Sequence, residues 1–451
     1  MMEILIGLIT IIAVGYYIMK GYSATGILLT AGMFLLLASV ILGHQVIPAD
    51  KSTGSAYLDV VEYVKDLLLK RGGGLGMLIM ILCGFAAYMS HIGANDMVVK
   101  LAAHPLQYIK SPYFLMIIAY FLTCLMSFAV TSATGLGVLL MATIYPIMVN
   151  MGISRGAAAA ICASPAAIIL SPTSGDVVLA AEIVKVPLTK FAFSYTLPVS
   201  IIAIISIAVS HFFWQKYLDK REGFVPEPIE MEVKEIKTKV PTFYAILPFT
   251  PIIGVLVFNG QIAPKLDIIT IIILCLVLTA ILDFIRTFDA QKMYADLTIT
   301  YKGMADAFSS VVILLVAAGT FAQGLSTIGF ISSLINSVQA LGSGSAVMMI
   351  MLALITALAA IVTGSGNAPF YAFIELIPRL ATHMGINPAY LTIPMLQASN
   401  IGRSLSPVSG VIVAVSGMAE ISPFALVKRV SVPMVVGLLS ILISTQLLVA
   451  A

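Results

Sequence analysis

The sequence predicts an all-α polytopic membrane protein made of two inverted repeats, and three observations support this fold class. First, 60% of its 451 residues are hydrophobic and only 10% are charged, whereas soluble domains carry roughly 25% charged residues. Second, apolar runs of about 17 to 25 residues recur along the chain, and each can cross a hydrocarbon layer of about 30 Å. Third, segments of the first half return in the second half, which is typical of transporter folds.

Ten membrane spans and two shorter helical hairpins account for the apolar runs. The first run, EILIGLITIIAVGYYIM, lacks a basic start and a small-residue cleavage site, so we expect it to remain as a span. The first repeat, residues 1–214, has spans near 2–20, 25–43, 74–93, 156–184 and 192–214 and a re-entrant hairpin at 112–150. The second, residues 243–451, has spans near 243–259, 267–286, 305–328, 389–418 and 430–450 and a hairpin at 345–383. The polar segment between them, 215–242, is interpreted as a cytoplasmic linker.

The repeat is visible in three matched segments. GFAAYMSHIG, which contains Phe85, is matched by TFAQGLSTIG, which contains Phe321, 236 positions later. VTSATG is matched by VTGSGN 232 positions later, and SPTSG by SPVSG 235 positions later. Because each half holds an odd number of full spans, the second repeat must insert upside down relative to the first.

Loop charge predicts the orientation of the chain. Lys and Arg are enriched in cytoplasmic loops, and most of the 24 basic residues fall on the side of this map that carries Lys100, Lys216 and Arg429. That side is expected to be cytoplasmic, which places both termini on the other side. The net charge of +3 belongs to these loops, so no nucleic-acid partner is expected.

Four polar segments interrupt the apolar runs. TSATG (131–135) and TGSGN (363–367) are turns of the hairpins, while SPTSGD (171–176) and SNIGRSLSPVSG (399–410) break full spans. Irregular backbone at membrane depth is tolerated only where it is buried in protein or lines a water-filled cavity. Each segment also predicts a helix start, with N-caps at Ser171, Ser406, Asn367 and Thr134 and prolines at Pro172, Pro407 and Pro369. Helix N-termini carry about half a positive charge, so four that converge form a site for an anion.

The candidate binding residues lie in these four segments. They are Ser132, Ala133, Thr134, Gly135, Thr173, Ser174, Gly364, Ser365, Gly366, Asn367, Ser399, Asn400, Arg403 and Ser406. Arg403 offers a bidentate fork suited to a carboxylate, and Asp176 is expected to bind a cation, take a proton or pair with Arg403.

Two structural alternatives stay open at this point. The interruptions are also compatible with packing kinks, because Gly and Ser are common in transmembrane helices. Arg403 and Asp176 are compatible with an internal salt bridge that touches no ligand. Glu375 and Arg379, four residues apart on one helix, are interpreted as a surface ion pair.

Several long runs resemble one known family. ILCGFAAYMSHIGANDMVVKLA, SATGLGVLLMAT, GISRGAAAAICASPAAIIL, PTSGDVVLAA, GSGNAPFYAF and LTIPMLQASNIGRSLSPVSGV are similar to the C-type anaerobic C4-dicarboxylate carriers of bacteria, the Dcu family C. The resemblance extends nearly end to end. It implies exchange of fumarate for succinate, or succinate efflux, across the inner membrane of cells that ferment without oxygen. It also implies membership of the wider ion transporter superfamily, in which a scaffold is paired with hairpin-bearing transport domains.

The hairpin tips of that superfamily often contain Ser-Asn-Thr. Here the first tip contains Ser132, Ala133 and Thr134, and the second contains GSGN at 364–367. An Asn side chain that could hold a cation is therefore missing from the first tip. Sodium coupling, proton-linked transport and plain exchange all stay open.

The residues and the resemblance together predict a C4-dicarboxylate transporter with an elevator-type alternating-access mechanism. Spans one to three of each repeat would form the scaffold of a homodimer. The hairpins, broken spans and last spans would form the transport domain, linked through amphipathic arms near 94–110 and 330–344. The rival interpretations are a cation/proton antiporter with Asp176 as its essential site, a transporter of another small carboxylate, and a channel-like anion pore. No cofactor or metal is expected, and an enzyme is disfavoured because no span carries a metal-ligand cluster or a nucleophile beside a base.

Overall fold

The computed structural model describes residues 2–20, 22–104, 106, 109, 111–224, 240–258, 263–330 and 344–449, without the side chains of residues 2–4 and 19. The helices of the first half are α1 (Met2–Met19), α2 (Ala24–Ile41), α3 (Leu58–Gly73), α4 (Leu75–His91), α5 (Ala94–Ala103), α6 (Pro112–Met126), α7 (Ala133–Asn150), α8 (Arg155–Ala163), α9 (Gly175–Val184) and α10 (Leu197–Arg221). Those of the second half are α11 (Thr250–Val257), α12 (Ile268–Thr287), α13 (Ala290–Ala307), α14 (Ile313–Thr327), α15 (Gly344–Thr363), α16 (Asn367–Ile374), α17 (Ile377–Met384), α18 (Pro388–Ser404), α19 (Gly410–Met418) and α20 (Pro423–Leu448). A 3₁₀ helix spans Thr242–Phe249, and π-helical segments span Lys190–Thr196 and Phe308–Val312.

The prediction of an all-α polytopic membrane protein is confirmed. Seven helices within the described residues are long and apolar enough to cross a membrane, or eight if the bent pair α3 and α4 forms one span. Shorter apolar helices lie at Leu5–Ile18, Pro112–Met126 and Thr242–Val257. The inverted repeat, the ten-span map and the orientation stay predictions.

The third span of each half is longer than the sequence predicts. The span predicted at 74–93 continues backwards through α3, which meets α4 at a bend of 43°. The span predicted at 305–328 begins at α13 and passes through the π-helical segment into α14. Ala290–Thr327 is therefore one continuous helix of 38 residues. Both extensions are amphipathic helices of low mean hydropathy, which a search for uniformly apolar runs overlooks.

The predicted linker and arms are described only in part. Helix α10 continues to Arg221, past the predicted linker start at residue 215, and residues 225–239 lie outside the described residues. The first arm contains α5, whose buried face packs against the 3₁₀ helix and α7. The second arm, 330–344, falls almost entirely outside the described residues.

The helices form two groups with a shared interface. In the first group α4 packs along α13, α2 along α14, and α11 along α12. In the second group α15 packs along α18, α10 along α20, and α7 along α19. The groups meet mainly where α16 contacts α14 and where α9 contacts α4. The hairpins and broken spans thus all belong to the second group.

Glu375 and Arg379 do not pair with each other, so their interpretation as a surface ion pair is wrong. The Glu375 carboxylate accepts a hydrogen bond from Arg71 on α3. Arg379 Nη2 donates to Gln323 Oε1 on α14 at 2.7 Å. Helix spacing alone favoured the local pair, but both side chains face partners on the other group of helices.

Close backbone packing between α15 and α18 leads to a prediction about Gly402. A Cβ atom at this position would lie 2.3 Å from the carbonyl oxygen of Ala357 on the neighbouring helix. We expect Gly402→Ala to lower the free energy of unfolding by about 1–3 kcal/mol, because a packed backbone cannot move aside freely. Thermal unfolding of the purified protein in detergent measures the effect.

Gly417→Ala is the matched control, because a Cβ there meets nothing within 4 Å. This control is expected to leave stability unchanged or to raise it slightly, since Ala favours helix over Gly. Equal melting temperatures for the two variants would contradict the proposed close packing at Gly402.

Candidate functional site

A large cavity lies between the two groups of helices, and the polar interruptions open onto it. Its volume is about 1010 Å³. Both hairpin tips line it, through residues 131–135 and 364–367, and so does the first broken span, through residues 173–176. The second broken span contributes Asn400, Arg403 and the start of α19. The interruptions therefore surround one space, and the interpretation as unrelated packing kinks does not fit.

Four helices begin at the wall of this cavity. Their first residues are Ala133 of α7, Gly175 of α9, Asn367 of α16 and Gly410 of α19, and all four line the cavity. The first N–H groups of a helix have no partner within the helix, and the helix dipole adds partial positive charge at the same end. The four ends together favour a bound anion.

The helix starts differ in detail from the predicted N-caps. Ser132, not Thr134, caps α7, with its Oγ accepting from Gly135 N at 3.1 Å. Helix α9 begins after Ser174, and α19 begins after Ser409, whose Oγ accepts from Ile412 N at 3.4 Å. The cap before α16 is Gly366, so Asn367 is the first helical residue.

Ser171 and Ser406, the predicted caps of the broken spans, begin tight turns instead. Ser174 N donates to Ser171 O at 3.1 Å, and Ser409 N donates to Ser406 O at 3.2 Å. The proline that follows each of these serines therefore occupies the second turn position, where its fixed φ fits as well as at a helix start. The sequence cannot distinguish these two uses of Ser-Pro.

Both hairpin tips lie directly against the second broken span. Gly364 has a φ of +70°, and a Cβ there would lie 3.1 Å from Ser409 N. A Cβ at Gly366 would lie 2.7 Å from Asn400 Oδ1. On the other side, a Cβ at Gly410 would lie 2.9 Å from Thr134 Oγ1 of the first tip. Side chains at these glycines would push the tips away from the second broken span.

Arg403 is the only Lys or Arg among the described residues that line the cavity. Its Nη2 donates to the carbonyl oxygen of Ala166 at 2.6 Å. Its Nε is buried and has no hydrogen-bond partner within the described part of the chain. One nitrogen therefore anchors the guanidinium at the cavity wall, while Nε is a buried donor that still lacks an acceptor.

Asp176 is buried at the cavity wall and accepts a hydrogen bond from the Tyr371 hydroxyl. It forms no ion pair with Arg403 in the described structure, so the alternative of an internal salt bridge between these two residues does not hold here. Tyr371 was not among the sequence candidates. Tyr371 lies four residues after Asn367 and therefore on the same face of the helix that starts at the second hairpin tip. This spacing could have identified it from the sequence.

The predicted site residues fall into two sets. All of them line the cavity except Ser399 and Ser406, which are fully buried and are not part of the cavity lining. Ser399 Oγ donates to Leu396 O at 2.9 Å within its own helix. Ser399 therefore packs behind the cavity lining, and Ser406 lies in the turn that precedes α19.

The opposite wall belongs to the first group of helices and was missed by the sequence analysis. It runs along α4 from Ile79 to Ser90 and continues to Asp96 at the start of α5. On the neighbouring span the lining residues extend from Leu314 back to Gly303. The cavity thus reaches from the middle of both helices towards the end that carries Asp96. We call this end the mouth side.

Comparison of folds finds solved membrane proteins with a similar architecture. It superposes on the YdaH transporter of Alcanivorax borkumensis with a TM-score of 0.60, at 15% identity, over 93% of this chain and 97% of that one. MtrF of Neisseria gonorrhoeae gives a TM-score of 0.61 at 12% identity, over 93% of this chain and 94% of that one. At these identities the similarity establishes the fold alone.

Sequence comparison identifies the family. The C4-dicarboxylate anaerobic carrier family matches residues 2–450. The anaerobic C4-dicarboxylate transporter DcuC of Escherichia coli O6:H1 is 65% identical over 99% of this chain and 97% of its own length. The probable anaerobic C4-dicarboxylate transporter DcuC of Vibrio cholerae is 57% identical over 100% of this chain and 98% of its own length. The chain belongs to the C4-dicarboxylate anaerobic carrier family, which confirms the resemblance to the Dcu family C and the expectation that it is not an enzyme.

Proposed function

We propose that this protein is a secondary transporter that exchanges fumarate for succinate, or exports succinate, across the bacterial inner membrane. Membership of the C4-dicarboxylate anaerobic carrier family supports the substrate class. The observation that carries the proposal is the convergence of four helix N-termini and Arg403 on one cavity. A dianion of four carbons needs positive potential at two places, and this arrangement supplies it.

One carboxylate of the substrate would bind the Arg403 guanidinium, which lines the cavity. The Ala166 carbonyl already accepts from Nη2, so the guanidinium is oriented before the substrate arrives. The second carboxylate would bind N–H and hydroxyl groups of the hairpin tips, at Ser132 to Gly135 and at Ser365 to Asn367. Such donors are fixed by their helices and lose little conformational freedom on binding.

The second group of helices, with the hairpins and broken spans, would be the moving part. It carries the tips and Arg403 as one packed unit, while α4, α13 and α14 form the wall against which it slides. Under the orientation predicted from loop charge, the mouth side is cytoplasmic, so this structure represents an inward-open state. An elevator-type shift of the unit would carry the site across the membrane, and a homodimer would anchor the scaffold.

Asp176 is the candidate for coupling to a proton. It is buried, it lines the cavity, and its described contact is the Tyr371 hydroxyl and not a cationic side chain. A carboxylate in such a place is costly to keep charged, which favours uptake of a proton together with the substrate. The same observation is the one that favours the rival function, a cation/proton antiporter.

An exchange assay in proteoliposomes tests the proposed function. Vesicles loaded with succinate should take up labelled fumarate by counterflow, and malate and aspartate should be tested in parallel. The assay is run with and without sodium and with and without a pH gradient, which identifies the coupling ion. Counterflow limited to four-carbon diacids is the expected result.

Two other outcomes would overturn the proposal. Sodium or proton exchange in the absence of any dicarboxylate would establish the antiporter instead. Flux that neither saturates nor depends on internal succinate would establish an anion pore.

A further inference from the structure

An ion-pair cluster joins the two groups of helices at the end opposite the cavity mouth. Arg71, on α3, donates through Nη2 to Glu375, which follows α16. Its Nη1 lies 3.7 Å from Glu182 Oε1 on α9. The Arg71 and Glu375 side chains are only 15% and 12% exposed. One arginine of the first group therefore holds two acids of the second.

A second contact lies on the neighbouring helix. Arg379 of α17 donates to Gln323 Oε1 of α14 at 2.7 Å. In this contact the arginine belongs to the second group and the acceptor to the first, whereas Arg71 belongs to the first group and its acceptors to the second. Each group therefore donates hydrogen bonds to the other. We call Arg71, Glu182, Glu375, Arg379 and Gln323 the interdomain latch.

The latch and the cavity occupy different ends of the same helices. The cavity lining begins at Ile79 and proceeds away from Arg71 towards Asp96. On the partner span it ends at Leu314, and Gln323 lies more than two helical turns beyond that point. The latch therefore lies at the end of the interface opposite the mouth side.

The latch residues have no charged counterparts at the matching positions of the other half of the chain. The offset that relates Phe85 to Phe321 relates Arg71 to Ala307. The offset of the hairpins relates Glu375 to Thr143, and the offset of the broken spans relates Glu182 to Gly417. None of these three counterparts is charged, so the mouth side lacks an equivalent ion-pair cluster at these positions.

We propose that Arg71 and Glu375 are positioning residues of the transport step and that they hold the protein in the mouth-open state. The sliding of the second group breaks the latch in every cycle, and the matching positions Ala307, Thr143 and Gly417 supply no charged contact to replace it. The charges therefore set the ratio of the two end states without touching the substrate. This inference rests on the proposed alternating-access function.

Accessibility of a reporter cysteine tests the latch in the full-length protein. Ser132→Cys places the reporter on the first hairpin tip, in a background where Cys83, Cys124, Cys162 and Cys275 are replaced by serine. A membrane-impermeant maleimide is applied, without substrate, to vesicles of each orientation. The latched protein should react from the mouth side, and Glu375→Gln or Arg71→Gln should shift labelling towards the opposite side by roughly tenfold.

A charge exchange separates a specific ion pair from a folding defect. The double variant Arg71→Glu with Glu375→Arg should restore the labelling ratio of the parent, whereas each single reversal should not. Arg155→Gln is the matched control, because Arg155 pairs with Glu420 at 2.7 Å within the second group alone. This control should leave the ratio unchanged.

The outcomes for the latch and for the proposed function are distinguishable. If Arg71→Gln and Glu375→Gln are folded in the membrane and keep the same ratio of labelling from the two sides as the parent, the latch is overturned. Dicarboxylate counterflow by the wild-type protein, which keeps Ser132, would meanwhile still support the transporter. Conversely, a labelling shift in the latch variants together with no counterflow by the wild-type protein would keep the latch and overturn the substrate class.

Discussion

Arg403→Lys is expected to reduce dicarboxylate exchange by about 10- to 100-fold while leaving a folded carrier in the membrane. The guanidinium presents two parallel N–H donors to a carboxylate, whereas an ammonium is a point charge. In this protein the fork is also held in place by the Ala166 carbonyl, which accepts from Nη2. Lysine would keep the charge but lose either this anchor or the bidentate contact.

Initial rates of counterflow over a range of substrate concentrations measure the effect. The loss should be larger for Arg403→Gln, which also removes the only basic side chain among the described residues of the cavity wall. Arg155→Lys is the control, since that side chain forms an exposed pair away from the cavity. Wild-type exchange by Arg403→Lys would show that the substrate binds elsewhere.

The position of the candidate site could be predicted because its residues violate the hydrophobic pattern. Glycine, serine and asparagine in the middle of apolar runs leave backbone groups that need partners, so such segments must meet water, protein or a ligand. Their recurrence in both halves placed them together in one site. The structure brings the two tips and the two breaks to one cavity, as the sequence indicated.

The partners of the charged residues could not be predicted, because each depends on two distant segments. Tyr371 meets Asp176 across 195 positions of the chain, and Arg71 meets Glu375 across 304. Neither pair has a local signature in sequence. The amphipathic helix α3 was also missed, although it supplies the latch arginine, because its charges exclude it from a search for apolar spans.

Two of the charged clusters outside the cavity have different physical roles. The latch joins the two groups of helices and has two exposed members, Glu182 and Arg379, so it can open at modest cost. A second cluster joins α10 to α20 and α8 inside the second group, and its central ion pair is almost completely buried. A buried pair is costly to break on one side only, so this second cluster should keep the moving unit rigid.

Asp219 and Arg429 are the centre of that second cluster. Arg429 Nη1 lies 2.6 Å from Asp219 Oδ1, and the two side chains are 7% and 4% exposed, arginine first. Asp219 also accepts from Ser154 Oγ at 2.7 Å and from Tyr113 Oη at 3.3 Å. The carboxylate thus joins α10 to three other helices, and its loss would leave the buried guanidinium with only Glu222, which is 40% exposed, as a counter-charge.

Asp219→Asn is expected to lower the free energy of unfolding by about 1–3 kcal/mol, because the buried guanidinium then keeps only the half-exposed Glu222 as a counter-charge. Thermal unfolding in detergent, followed by loss of helical signal, measures the change. Glu420→Gln, which breaks the exposed pair with Arg155, should cost less than about 1 kcal/mol. The double variant Asp219→Leu with Arg429→Met should recover most of the stability, since it leaves no charge buried. Equal melting temperatures for Asp219→Asn and Glu420→Gln would mean that the buried pair contributes no more than an exposed one, and the rigidity of the moving unit would then depend on its apolar contacts alone.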